Sequence, residues 1–318
     1  RVSSPSVKGV VLTTSYVYNA NGDVIQVTDA EGKSVSMEYD ASGNQVLQRD
    51  AVGNTVRRTF SSSNRLLTET TYTVADPDGA GSGVPQGPTT ARYVYDTANP
   101  NLLRFSISAE GRVTEYRYNA YGERTVALQF AQKSLYSVAA LAVSETPTLA
   151  AMTTWSGQQD LTTLSRIDYQ YDARGQLTES AAAQKTTSTG VADTAALIVR
   201  QTYVYSQTGQ LLSTIQQTSS GNAVTTYTYD GMGRLLSTTN ALGQTTVNTY
   251  DDAGNRTTIV AANGLRTIQT YNKAGQLISV QQATATVADL GKTQYFYDAD
   301  GQLRMTQGPT GERHWTLL

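Results

Sequence analysis

Short runs of alternating residues dominate the chain. Thr225-Thr226-Tyr227-Thr228-Tyr229-Asp230 is β-branched or aromatic at nearly every position, the composition that suits a pleated strand. Period-two geometry puts Tyr227 and Tyr229 on one face. The run stops at Asp230-Gly231-Met232-Gly233. There Asp at the first turn position can accept backbone N–H groups, and Gly at the fourth can adopt a left-handed conformation. This predicts a three-residue hairpin loop with a bulge. In that register Asp230 faces Arg234 and Tyr229 faces Leu235, so Tyr-x-Tyr and Leu are expected to share one buried face.

The same pattern recurs along the chain. Tyr295-Phe-Tyr297-Asp298-Ala-Asp-Gly301-Gln-Leu303 and Tyr169-Gln-Tyr171-Asp172-Ala-Arg-Gly175-Gln-Leu177 match the copy at Tyr229, Asp230 and Gly233. Tyr203/Tyr205 leads to Gly209 and Leu211, and Tyr16/Tyr18 leads to Gly22 and Val24. Weaker copies run through Tyr39/Asp40/Gly43, Tyr116/Tyr118/Gly122, Tyr250/Asp251/Gly254 and Tyr271/Gly275. Two are degenerate: Phe60 lacks the Gly, and Tyr93/Tyr95/Asp96 enters Asn99-Pro100. Tyr18 to Tyr39 to Phe60 steps by 21 residues, as does Tyr229 to Tyr250 to Tyr271. A second glycine falls between copies at Gly32, Gly53, Gly243 and Gly264. Each unit therefore holds two strands and two turns. Eleven copies imply about 22 strands, whereas open twisted sheets rarely exceed roughly 10 without curling or splitting. Twist accumulates in one direction. The expected fold is all-β: tandem antiparallel hairpins winding into a curved or spiralling sheet, quasi-one-dimensional like other repeat proteins.

Tyr-x-Tyr-Asp-x-x-Gly-[Arg/Asn/Gln]-Leu at this spacing resembles the YD repeat, or Rhs repeat, of Rhs proteins, teneurins and the C component of insecticidal toxin complexes. The resemblance runs from about Tyr16 to Gly311. It implies a shell wound from a β-sheet spiral that encloses a cargo, usually a toxic C-terminal domain of the same polypeptide. The implied partners are the remainder of that shell and an enclosed toxin or effector domain. The implied location is secreted or at the bacterial cell surface, after loading in the cytoplasm. The shell normally ends in a plug with a paired Asp-Pro-x-Gly motif at which the chain is autocleaved. The one such sequence here, Asp76-Pro77-Asp78-Gly79, lies early in a Gly-rich loop, so no protease role is carried onto it. Gln45, Arg124 and Arg256 stand where the family has Leu.

The repeat resumes after every interruption, so residues 1–318 read as one segment of the wall. Residues 74–88, rich in Gly and Pro, read as an exposed loop, and residues 181–193, rich in Thr, Ser and Ala, as another. Tyr118 and Tyr171 are 53 residues apart. Within that insertion, about residues 131–165, Leu135, Val138, Ala139 and Ala142 follow helical spacing. Thr146-Pro147 makes an N-cap and N1 pair for a second helix through Leu149, Met152 and Trp155 to Gly157. Two short helices packed on the wall are expected, either as cover for the sheet or as a plug, clasp or docking element.

Composition narrows the function. The 318 residues hold 24 Lys plus Arg and 26 Asp plus Glu, a net charge of −2. Charged residues are 16%, below the roughly 25% of ordinary globular chains, so recognition of nucleic acid by bulk positive charge is not expected. Cysteine is absent and histidine occurs once, at His314. This removes thiol chemistry and a Cys-based zinc site, and no metal site or cofactor is expected. His314, beside Trp315, reads as a strand residue. The longest apolar run, Tyr136–Val143, is far short of the roughly 20 residues that span a bilayer. The sequence starts at Arg1 without a signal-peptide pattern and reads as a piece of something longer. A catalytic carboxylate pair could be sought among Glu31, Glu38, Glu110, Glu115 and Glu123, but nothing singles any of them out. Asp298-Ala-Asp300-Gly301 looks faintly like a calcium loop without its other ligands. Gly79-Ala-Gly81-Ser-Gly83 lacks the strand and helix that a phosphate loop needs. No catalytic residue is assigned.

There are 20 Tyr against 4 Phe and 2 Trp, so something asks for tyrosine at equivalent places. Packing in the ladder is one reading. Stacking on surface glycans is the other, because sugar C–H faces suit aromatic rings. The competing functions are therefore an encapsulating wall, a cell-surface carbohydrate-binding or adhesion module, and, remotely, a polysaccharide hydrolase. An isolated piece of spiral would also expose sheet edges and is expected to associate end to end, or to cover its edges with loops such as 74–88.

Overall fold

The computed structural model describes residues 2–3, 13–76, 84–131, 134–218 and 221–315. Among the described residues there are twenty-four β-strands and one α-helix, Leu149–Gly157, which places the chain in the all-β class. From Thr13 onward the described residues fall into two compact units, divided between Arg200 and Gln201.

In the first unit every strand from Thr13–Tyr18 to Leu177–Ala183 pairs antiparallel with the next strand in the chain. The second unit repeats this meander from Leu211–Thr218 to Arg313–Trp315. Tandem hairpins thus build the sheet of each unit. Tyr229 pairs with Leu235 and Thr228 with Ser237, which leaves Leu236 as the extra residue of a bulge. The same shift follows Tyr18, Tyr39, Phe60, Tyr95, Tyr118, Tyr171, Tyr271 and Tyr297. One extra residue reverses the facing of all that follow. The bulge therefore brings Leu onto the Tyr face while sending the next alternate residues to the other.

In the first unit, where the insertion covers the sheet, it is that other face that holds the buried cluster, which corrects there the expectation that Tyr-x-Tyr and Leu line it. In the strands Gly221–Tyr229 and Thr245–Asp251 of the second unit the Tyr face is the less exposed one, as expected. The two do share a face, but one that is half-buried: Tyr229, Leu235, Tyr297 and Leu303 are all intermediate. The largest buried hydrophobic cluster of the first unit is Val94, Phe105, Ile107, Val113, Val126, Leu128 and Phe130, with Met152 and Leu164 from the insertion. Val94 pairs with Phe105 and Phe105 with Glu115, on the side opposite Tyr93, Tyr95, Tyr116 and Tyr118. Burying side chains of this size contributes roughly 1.5–3 kcal/mol each.

The insertion closes over this patch. Trp155 packs on Phe130 at 4.9 Å and edge-on to Tyr136 at 5.7 Å. Among the described residues of the insertion only one α-helix forms. Residues 135–142, expected as a helix, run as irregular chain with one turn at 139–140. Its fixed points are backbone contacts: the Tyr136 N–H donates to the Gly111 carbonyl at 2.8 Å. The N-cap of Leu149–Gly157 is Thr148, whose hydroxyl accepts from the Ala151 N–H at 3.1 Å. Thr146-Pro147 lies outside the helix. A buried guanidinium fastens the strap. Arg92, 4% exposed, donates from Nε to the Glu145 carbonyl at 2.9 Å and from Nη2 to the Ala142 carbonyl at 3.3 Å.

The other interruptions are more ordered than expected. Leu66–Val74 and Gln86–Tyr95 form one long hairpin that stays paired out to Val74 and Gln86, so residues 86–88 are strand. The Pro77-Asp78-Gly79 part of the Asp-Pro-x-Gly sequence and the Gly79–Gly83 stretch lie outside the described residues. Ala181–Ala183 likewise belongs to a strand, and the loop after it is pinned by a Thr186–Ala192 bridge.

Candidate functional site: the corners and rungs of the repeat

Three sets of contacts account for the repeated residues. The first closes each corner. Asp230 Oδ1 accepts from the backbone N–H groups of Met232 and Arg234, both at 2.9 Å. The Asp230 N–H donates to the Arg234 carbonyl, and the Gly233 N–H donates to the Asp230 carbonyl, each at 3.0 Å. Asp40, Asp172 and Asp298 make the same pair of carboxylate contacts. Asp29 and Asp50 make them at the second turn of the unit. Gly22, Gly43, Gly122, Gly175, Gly209, Gly233, Gly275 and Gly301 all have φ between 77° and 90°, a region costly for residues with a Cβ.

Backbone and side-chain donors hold the carboxyl groups of these corners below the ordinary carboxylate range. For Asp230 the Arg234 N–H is the main cause, then the Arg234 guanidinium. For Asp40 and Asp50 it is the side-chain amide of Asn44 and of Asn54. For Asp172 and Asp298 it is the N–H of Gln176 and of Gln302.

Some copies reach the same corner with other residues. Asn119 and Asn272 replace Asp with the same two acceptor contacts. Ser61 serves before Phe60's partner strand, and Asn64, at φ 57°, takes the place of the missing glycine. Asp96 accepts from Ala98 and Asn99 instead, in a loop that closes at Leu102. The copy at Tyr250 departs. Asp251 is the last strand residue, paired with Arg256, and Asn255 rather than Gly254 has positive φ, at 47°.

The second set explains the tyrosines. The second Tyr of a copy donates its hydroxyl to a carbonyl of the previous hairpin, at the residue in the Leu position. Tyr39 reaches Val24 at 2.9 Å, Tyr118 reaches Leu103 at 2.8 Å and Tyr171 reaches Arg124 at 3.0 Å. Tyr229 reaches Leu211 at 2.9 Å, Tyr250 reaches Leu235 at 2.8 Å and Tyr297 reaches Leu277 at 2.9 Å. Phenylalanine would pack but could not make this rung. Tyr271 instead meets Gln269 Oε1, and Tyr18 and Tyr95 are placed on the same face. Tyr205 ends the strand Leu197–Tyr205.

The third set was missed in the sequence. The residue after the corner glycine ties its corner to the next one. Asn44 Nδ2 donates to Asp40 and also to Asn64 Oδ1 at 3.0 Å. Arg234 bonds Asp230 Oδ2 at 2.7 Å and Asp252 Oδ1 at 2.6 Å, and its guanidinium lies 4.3 Å from the Tyr250 ring centroid. Arg65 donates to Asn101 Oδ1. The signal was present as the Arg/Asn/Gln preference after Gly, but its partner lies one copy away. The residues standing for Leu are also explained in part: Arg124 stacks 4.4 Å over Tyr116, and Gln45 accepts from Arg58 at 2.9 Å.

The other candidates are local. Glu31 pairs with Lys33, Glu110 with the Ser108 hydroxyl, Glu115 with Arg117 and Glu123 with Asn119. Glu38 sits in a strand opposite Leu47. Asp300 and Gly301 form part of the Asp298 corner, and His314 is a strand residue opposite Thr306. Among the described residues no group of three or more metal-ligating side chains is gathered, and no helix is long and apolar enough to cross a membrane.

A family model described as RHS Repeat matches residues 18–55, 205–245 and 250–287. Those three segments carry RHS repeats. The matched segments begin at or beside Tyr18, Tyr205 and Tyr250, so the RHS repeat and the corner-and-rung unit are the same object. No curated protein matches the chain. Among solved structures, TcdB2-TccC3 without its hypervariable C-terminal region is similar at 15% identity and a TM-score of 0.53, over 96% of this chain and 16% of that one. TcdB2-TccC3 is similar at 15% and 0.52, again over 96% and 16%. So is a chain of the Photorhabdus luminescens Tc holotoxin pore with a mutated TccC3, at 15% and 0.52 and the same coverage. The shared feature is the fold of RHS repeats, and this chain spans 16% of the length of those chains.

Proposed function

We propose that this chain is a non-catalytic wall segment of an Rhs-type shell that encloses a toxin or effector cargo for export. The observation that carries the reading is the use to which the repeat puts its polar groups. Corner carboxylates bond within their own corner, and tyrosine hydroxyls and the residues after glycine bond to the neighbouring copy, so all three are taken up by the repeat itself. Such a chain extends by adding copies and spends its chemistry on continuity. The low charge, 16% of residues, suits a wall that holds a polypeptide without gripping it electrostatically. The similar TcdB2-TccC3 chain is described as having a hypervariable C-terminal region, as expected of a constant wall with an exchangeable cargo. The implied partners are further wall copies and that cargo. The hydroxyl rungs favour packing over glycan stacking as the reason for the tyrosines.

Limited proteolysis of the full polypeptide that carries this chain tests the reading. The cargo domain should resist protease until the wall is unfolded. Cleavage of the cargo at the rate of the isolated domain would reject enclosure.

A further inference from the structure

The joint between copies at Tyr171 is built like the joint at Tyr250 but carries the opposite charge. The strand after the Asn119–Gly122 corner pairs with the strand leading to Tyr171, and Val126 lies opposite Asp168. The strand after the Asp230–Gly233 corner pairs with the strand leading to Tyr250, and Ser237 lies opposite Val247. Counted from their tyrosines, Val126 and Ser237 occupy one register position, and Asp168 and Val247 another. Tyr171 donates to the Arg124 carbonyl just as Tyr250 donates to the Leu235 carbonyl. The two joints are therefore equivalent, although 53 residues separate the tyrosines of one and 21 those of the other.

In the Tyr250 joint the residue after glycine is Arg234. It lies over the Tyr250 ring and bonds the carboxylates of Asp230 and Asp252. In the Tyr171 joint that residue is Glu123. Its Oε2 accepts from Asn119 Nδ2, and its Oε1 lies 2.8 Å from the place of a Cβ on Gly175. Glu123 thus sits over the neighbouring corner with no positive charge of its own to offer. A cleft of about 480 Å³ opens there, lined by Asn119, Tyr121, Glu123, Tyr171, Asp172 and Arg174. Tyr121 stands at its edge, 90% exposed. Burial raises the pKa of the Tyr171 phenol, and the Glu123 charge raises it further. Arg174 is already paired with Asp172 at 3.3 Å, and the Arg124 guanidinium lies over Tyr116.

We propose that this cleft receives the guanidinium of an arginine side chain from a partner polypeptide, in the position that Arg234 fills by itself in the equivalent joint. Glu123, Asp172 and Arg174 together carry one net negative charge, which a single guanidinium neutralises. A planar cation can pair with the Glu123 carboxylate while lying against a tyrosine ring, Tyr171 within the joint or Tyr121 at its edge. The second unit shows a guanidinium held over the joint's tyrosine by carboxylates, there Asp230 and Asp252; their counterparts here are Asn119 and Ala173, so Glu123 and Asp172 supply the carboxylates instead.

The test is an amide chemical-shift titration of the full chain with N-acetyl-arginine amide. N-acetyl-citrulline amide, its neutral isostere, is the comparison. The arginine derivative should shift the amides of Tyr121, Glu123 and Gly175, and citrulline should not. Glu123→Gln should weaken binding about tenfold or more, and Glu123→Arg, which restores the Arg234 pattern, should abolish it. Equal shifts with citrulline, no shift with arginine, or binding unchanged in Glu123→Gln would each overturn the proposal. The arginine-against-citrulline comparison needs no variant and so does not depend on how a variant folds.

Discussion

The side-chain amide of Gln276 donates to the carbonyl of Gly301 at 3.0 Å and lies 3.0 Å from the point that a Cβ on Gly301 would occupy. The corner glycine of one RHS repeat is thus shaped by the copy before it. Leu102 over Gly122 and Gln210 over Gly233 repeat the relationship. At these positions the corner glycine answers two demands, a left-handed backbone and room for the neighbour's side chain, whereas Gly22, Gly43 and Gly275 have nothing within 4 Å and answer only the first.

Gly301→Ala should therefore cost more than Gly264→Ala. Both positions have φ near 80°, and both should lose about 1–2 kcal/mol for the left-handed conformation. Only at Gly301 does the added methyl meet a side chain, since nothing lies within 4 Å at Gly264. Gln276→Ala should bring the two losses together. Urea unfolding of the four variants measures this.

The tyrosine rungs predict a hydroxyl effect. Tyr229→Phe and Tyr250→Phe should each destabilise the chain by about 1 kcal/mol, the usual net contribution of one such bond. Tyr227→Phe, on the same face one residue pair away, should cost less. Equal losses at all three positions would assign the tyrosines to packing alone.

Much of this was legible in the sequence, and the limits have physical causes. Alternation and Asp-to-Gly spacing are local, and they place the strands, corners and bulge register, Tyr229 against Leu235 included. The hydroxyl rungs and the Asn44, Arg234 and Gln276 bridges link copies 15 to 25 residues apart, and no local pattern names their acceptors. In the first unit the buried face was misplaced because Tyr and Leu look like core. The core is instead made where the insertion covers Phe105 and Leu128. Leu135–Ala142 has helical spacing, yet Tyr136 is held by the Gly111 backbone, and tertiary contact overrides a short amphipathic run.

Acid should loosen the corners. The carboxyl groups of Asp40, Asp50, Asp172, Asp230 and Asp298 have pKa values lowered by the folded state. A lowered folded-state pKa gives stability that is full above the unfolded value, about 3.9 for Asp. That stability is lost as pH falls through the folded-state values. Melting temperature should be flat from neutral pH to about 5 and then decline. Asp230→Asn should flatten the acid limb, because Asn keeps the acceptor and cannot titrate.

The strap across the first unit depends on Arg92. Arg92→Met keeps much of the bulk and removes the donors to the Ala142 and Glu145 carbonyls. Amide exchange over residues 134–148 should rise at least severalfold, while the strands around Tyr39 and Gln45 stay protected. Uniform loss of protection would mean that Arg92 supports the sheet and not the strap.

The central claim is that these RHS repeats form a wall around a cargo. Electron cryomicroscopy of the full polypeptide bearing this chain tests it most directly. A closed wall of β-strands that includes residues 13–315, with density for another domain inside, is the predicted result. Repeats gathered into a compact particle with no enclosed volume, or a cargo domain lying outside the strands, would contradict it.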